Sequence, residues 1–141
     1  MQNIFAIIFA TLAGVSTALE AFINGELGKH TNALVATFIS LVVGTIFFFI
    51  SICLTGNLKS LINFNNINPK LLLGGILGGL VIYFTVKSVP NLGVSKTLTL
   101  IVVSQMIVGF FIDMYIYKEV LHLYNYIGAI LLFLGTFFIL N

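Results

Sequence analysis

Two carboxylates, two amides and a few hydroxyls interrupt the apolar stretches of this chain at helical spacing, and these are the side chains that could do chemistry. In the first stretch, Ala13, Thr17, Glu20 and Asn24 follow in steps of three and four, which places them in a narrow arc of one helix face. In a later stretch, Gln105, Gly109 and Asp113 repeat at i, i+4 and i+8. A carboxylate can hold a proton or a cation, and an amide near it can hydrogen-bond a solute. At membrane depth an ionisable group costs roughly 2.5–3.5 kcal/mol on insertion scales, so it usually faces a cavity and serves a function. Glu20 and Asp113 each fall within about a turn of the end of their apolar stretch, so reaching the membrane–water interface is the alternative for both. Gln105 is deeper, and its alternative is a hydrogen bond to a neighbouring helix.

Other chemistry finds little support. His30 and His122 lie far apart without ligand-spaced partners, so no metal is expected. The glycines sit within apolar segments and lack the GK[ST] ending of a phosphate loop. Nothing resembles a nucleophile–base pair, so neither enzymatic activity nor a cofactor is expected. The net charge of +2 rests on lysines alone, with no basic cluster. Without arginine, the preferred bidentate partner of phosphate, nucleic acid is not an expected partner. The single cysteine, Cys53, lies in an apolar run and reads as a small hydrophobe.

The elements that position these residues follow from composition. Of 141 residues, 60% are hydrophobic and 7% charged, against about 25% charged in an ordinary soluble domain. So few charges could not cover a soluble surface, and lipid is the expected solvent. Apolar runs predict membrane spans over about 4–23, 33–54, 70–88, 95–117 and 123–140, near the roughly 17–25 residues that a helix needs to cross a bilayer. The first run lacks a basic n-region and an A-x-A site, so it is expected to be a retained span. The fold expected is an all-α integral membrane protein, 1–141 forming a single transmembrane domain of five helices.

The breaks between spans carry their own signals. Asn24-Gly25 suits the end of the first helix, which would leave Glu26, Lys29 and His30 in a solvated connection. Thr31 or Asn32 can cap the second helix. Asn68 before Pro69 reads as an N-cap and first-turn pair, and "VPNLG" as a tight turn. "GNLKSLINFNNINPK" is the one long polar connection. Small residues also form stripes. Ala33, Thr37, Ser40, Gly44 and Ser51 share a face of the second span. In "GGILGG", the pairs Gly74/Gly78 and Gly75/Gly79 form two overlapping GxxxG motifs, a candidate helix-packing seam.

The stretch "LEAFINGELGKHTNALVATFISLVVGT" resembles the first two helices of the YdcZ-like (DUF606) branch of the drug/metabolite transporter superfamily. That branch reads roughly Q-x-x-x-N-x-x-L-G, then a basic residue, then a second helix ending in V-G-T. "GGILGG", "PNLGVSKT", "SQMIVGFFID" and "GAILLFLGTFFI" resemble its later helices in order. The resemblance covers nearly the whole chain and implies a five-helix half-transporter related to ten-helix transporters built of two inverted halves. Asn24, Leu27, Gly28, Gln105 and Asp113 fall on the family's pattern. Glu20 departs from it, since glutamine is usual there. An acid at this place is similar to that of the small multidrug resistance proteins, in which such a glutamate binds cations and protons.

These readings together give an expected function: a proton-coupled secondary transporter of small organic molecules in the plasma membrane. Glu20 would hold the proton or cation, Asn24 and Gln105 would hydrogen-bond the substrate, and Asp113 would set the charge near one mouth. Inverted repeats in transporters enclose a site near the midplane, and a five-helix unit has none of its own, so an antiparallel homodimer is expected to supply it. The rivals are a lipid flippase subunit and a non-transporting membrane assembly protein.

Five spans place Lys59, Lys70 and Lys118 on one side of the bilayer and Lys29, Lys87 and Lys96 on the other. Lysine and arginine bias sets orientation, and here there is none. The chain should therefore insert both ways up. C-terminal reporters active on opposite sides of the membrane should both give signal, and two or three lysines added to the "NFNNINP" connection should silence one of them. Signal from a single side in the unmodified chain would refute dual insertion.

Overall fold

The computed structural model describes residues 2–62, 68–120 and 122–141, so the central "NFNNI" of the polar connection lies outside the described residues. Every regular element among the described residues is helical. Helix α1 spans Gln2–His30, α2 Ala33–Leu54 and the short α3 Leu58–Ile62. A 3₁₀ turn, Pro69–Leu72, leads into α4, Leu73–Leu92. Helix α5, Val94–Ile112, continues into a π-turn at Asp113–Tyr117, and α6 spans Leu123–Leu140. Five of these segments are long and apolar enough to cross a membrane: Ile4–His30, Ala33–Leu54, Pro69–Leu92, Val94–Tyr117 and Leu123–Leu140. The chain divides into two compact units, Met1–Asn91 and Leu92–Asn141.

Caps explain several boundaries. Asn32 starts α2 by accepting a 3.0 Å hydrogen bond from the Val35 amide. Asn68 accepts one of 3.1 Å from the Lys70 amide, with Pro69 at the first position, as the sequence suggests. Gly93, at φ +80°, immediately precedes α5, in a conformation that L side chains rarely adopt.

Two expected breaks are absent. Asn24-Gly25 does not end α1, which runs on to His30 and leaves only Thr31 and Asn32 before α2. Glu26 and Lys29 therefore pair as i, i+3 neighbours on the last turns of a helix rather than in a connection. "VPNLG" is not a turn through its length either, because α4 passes through Pro90 and ends at Leu92. Both corrections share a physical reason. Glycine and proline break helices in water, but within a membrane protein neighbouring helices stabilise the segments that contain them.

In the unit Met1–Asn91, the neighbour of the glycines is α4. A Cβ at Gly25 would stand 2.5 Å from Val89 Cγ1, and one at Gly28 closer still to Val86 Cγ1. Val86 and Val89 are buried, as are Ala21 on α1 and Ala36 on α2. The C-terminal half of α1 thus presents Ala21, Gly25 and Gly28 as a smooth surface onto which two β-branched side chains close. By contrast, among the described residues a Cβ at Gly74, Gly75 or Gly78 of "GGILGG" would meet nothing, and one at Gly79 would meet Leu41 of α2.

In the unit Leu92–Asn141, α5 and α6 pack on each other. Lys96 Nζ donates a 2.8 Å hydrogen bond to the carbonyl of Leu140. A lysine in the first turn of one helix thereby satisfies an orphan acceptor at the end of the other and complements its dipole.

The packing of α1 on α4 makes a direct prediction. Valine is stiff at χ1 within a helix, so Gly28→Ala should destabilise the protein by about 1–3 kcal/mol through overpacking. Gly14, where a Cβ meets open space, provides the control. Thermal unfolding in detergent should show a lower midpoint for Gly28→Ala and none for Gly14→Ala; equal midpoints in the two variants would mean that α4 does not close on Gly28.

Candidate functional site

The continuation of α1 changes where Glu20 lies. At 1.5 Å per residue, α1 is about 43 Å long, which exceeds the roughly 30 Å hydrocarbon thickness of a bilayer. The charged turn carrying Glu26 and Lys29 suits the interface. With that turn at the interface, Glu20 sits about 9 Å deeper along the axis. It belongs to the body of the helix rather than to its end.

Around it the unit Met1–Asn91 builds a polar group. Asn24, one turn after Glu20, is only 5% exposed. Its Nδ2 donates to Ser40 Oγ on α2 at 3.2 Å and, at a long 3.4 Å, to Glu20 Oε1. Asn24 thus ties the carboxylate on its own helix to a hydroxyl on the next. Ser40 differs from most hydroxyls in the chain. Thr17, Thr37, Thr45 and Ser51, for instance, each donate to a carbonyl one turn back on their own helix. The Ser40 hydroxyl instead accepts across the helix pair, which leaves its own proton available to another acceptor.

Glu20 and Ser40 line an open recess of about 690 Å³, whose wall continues through Gly44, Phe48 and Ile52 of α2 to Leu61 of α3. This volume falls in the range of about 300–1,000 Å³ typical of small-molecule sites. Among the described residues, Glu20 is the one ionisable side chain lining it. A largely apolar trough with a carboxylate and the Ser40 hydroxyl at one end, and the Thr45 hydroxyl about a turn further on bonded to its own helix, can seat an apolar body and fix a polar or cationic group.

The other expected site residues lie in the unit Leu92–Asn141. Gln105 is exposed on α5 and, with Gly109, lines a shallow hollow of about 330 Å³. Asp113 is half-exposed and opens the π-turn, where its carbonyl accepts from the amide of Glu119 at 3.0 Å. Such π-turns are rare and often occur at functional positions. Within the first unit the structure brings Glu20 and Asn24 together and adds Ser40. The sequence pattern had placed Ser40 on the small stripe of the second span without giving it a partner. No group of three His, Cys, Asp or Glu side chains that could hold a metal occurs among the described residues.

Comparison with known proteins identifies one family. The family model described as "Putative inner membrane exporter, YdcZ" matches residues 5–138. With its five apolar spanning helices, the protein is a multi-pass protein of the plasma membrane. No curated protein and no solved structure is significantly similar to the chain.

If the Asn24–Ser40 bond joins α1 to α2, Asn24→Ala and Ser40→Ala should not be additive. A double-mutant cycle read by reversible unfolding in bicelles should give a favourable coupling of about 0.6 kcal/mol, the average for interhelical hydrogen bonds in a membrane protein. A coupling of zero would show that the two side chains do not meet.

Proposed function

The chain belongs to the YdcZ family of inner membrane exporters, and from that premise we propose that it is a proton-coupled secondary transporter of small organic molecules working as an antiparallel homodimer. The observation that carries the reading is the placement of Glu20. It lies in the body of a membrane-length helix, is hydrogen-bonded by a buried asparagine and opens onto a recess of ligand size. A carboxylate at that depth is costly unless it serves a function.

In this reading Glu20 takes either a proton or the polar group of the substrate. The Ser40 hydroxyl donates to the substrate. Asn24, with its amide protons directed to Glu20 and Ser40, is a positioning residue that holds the carboxylate toward the recess. Substrate and proton exclude each other at Glu20, so the movement of one drives the other. Gln105 and Asp113 are proposed to contact the substrate and to tune charge along its path. A second, inverted copy completes the transporter, since five helices hold no inverted repeat and the lysines divide three and three. The reading assigns the protein no catalytic step.

Replacing Glu20 by glutamine keeps the shape and a hydrogen-bonding partner for Asn24, but removes the group that exchanges a proton. In proteoliposomes, Glu20→Gln should leave folding intact and abolish the dependence of substrate uptake on an imposed pH gradient. Parallel responses to the gradient in wild type and variant would exclude Glu20 from coupling.

A further inference from the structure

The recess beside Glu20 is much longer than a site for a compact ion needs to be. Its wall on α2 runs from Ser40 to Ile52, about 18 Å along the helix axis. Beyond Ile52 it reaches Leu61 on the short helix α3. Polar character is concentrated at one end. Glu20 and Ser40 lie there, and the Thr45 hydroxyl about a turn on is returned to the Leu41 carbonyl of its own helix, whereas among the described residues Phe48, Phe49, Ile52 and Leu61 give the far end no charge and no side-chain hydrogen-bonding group. Gly44 sits between the two ends, and a Cβ there would meet open space, so the trough passes this point without obstruction. Helix α3 carries Lys59 and follows the positive-φ turn at Gly56, features of a segment at the end of a span.

A charged head and a long apolar body are therefore called for in one molecule. From this we infer that the recess binds a single-chain amphiphile with a cationic head, the head at Glu20 and Ser40 and the alkyl tail lying along Gly44, Phe48 and Ile52 toward Leu61. Charge complementarity selects the head, because among the described residues Glu20 is the one ionisable group lining the trough and no cation there competes for it. The inference rests on the transporter reading above and narrows its substrate class. It also gives the glycine of the second span a purpose, since any larger residue at 44 would stand in the path of the tail.

The test uses the full chain in lipid nanodiscs, with radiolabelled ethyltrimethylammonium and dodecyltrimethylammonium as probes and empty nanodiscs as background. The quantity read is the ratio of the two affinities, compared between proteins in the same lipid so that partition into the bilayer cancels. Wild type should favour the dodecyl probe. Gly44→Leu, which fills the trough where the backbone has room, should reduce that preference by roughly tenfold, the effect of about two methylenes losing their contacts. Ile52→Trp, at the far end, is the second variant should Gly44→Leu misfold, and it should reduce the preference for dodecyl while leaving that for a hexyl probe. Glu20→Gln should weaken both probes. Equal chain-length preference in wild type and in both trough variants would overturn the inference. If the probes still depended on Glu20, the transporter reading would survive that result. Binding of neither probe, or binding indifferent to Glu20→Gln, would overturn both. Displacement of the dodecyl probe on raising the phosphatidylethanolamine content of the nanodisc would make a two-chain lipid the occupant and would also overturn it.

Discussion

Lipid offers no hydrogen bonds, and this one constraint organises the molecule. Backbone amides in the spans must be satisfied within their own helices, so all regular structure among the described residues is helical. Side-chain hydroxyls obey the same demand, and most of them return to a carbonyl one turn back. A polar side chain that reaches out of its helix is then conspicuous. Asn24 is one, buried at 5% exposure and bonded to Ser40 on α2 as well as to Glu20 on α1. The cost of an unpaired amide in hydrocarbon fixes the geometry of the carboxylate beside it.

That geometry requires α1 to continue past Glu20, and the continuation depends on small residues. Ala21, Gly25 and Gly28 let Val86 and Val89 of α4 come into contact with the helix. Without directional hydrophobic driving force between helices in lipid, close packing of this kind is what holds them together. It holds the C-terminal half of α1 in place, and Asn24 lies within that half, one turn from Ala21 and Gly28 alike. Packing and polar site are thus interleaved on adjacent positions of one helix: glycines meet valines while the asparagine and glutamate turn to Ser40 and the recess.

The five spans were legible because each is a long apolar run bounded by polar residues, and the caps at Asn32 and Asn68 because their side chains act locally. The Glu20–Asn24 face was legible for a similar reason, since one-turn spacing fixes it whatever the surroundings. Asn24-Gly25 and Pro90 misled because their usual meaning is set in water, where a glycine or proline leaves backbone groups to solvent. Here the partners that override it lie far along the chain: Val86 and Val89 for the glycines, Ser40 for the asparagine. In "GGILGG" the spacing suggests a seam, and among the described residues of its unit Gly79 is the one of the four glycines at which a Cβ would meet another helix. The length of the recess depends on α2 and α3 together, and no local pattern encodes it.

The central claim is that the Glu20 face of α1 and the Ser40–Gly44 face of α2 enclose a space that a polar solute reaches from water. Cysteine accessibility tests it most directly, in a background where the native Cys53 is replaced by serine. Thiols react as thiolates and therefore need water. Ser40→Cys and Gly44→Cys should react with a small, membrane-impermeant thiol reagent, whereas Ile39→Cys and Ile46→Cys, turned well away from them around α2 and outside the recess lining, should stay unmodified in the bilayer. Silence at positions 40 and 44, or equal reaction at all four positions, would contradict the account.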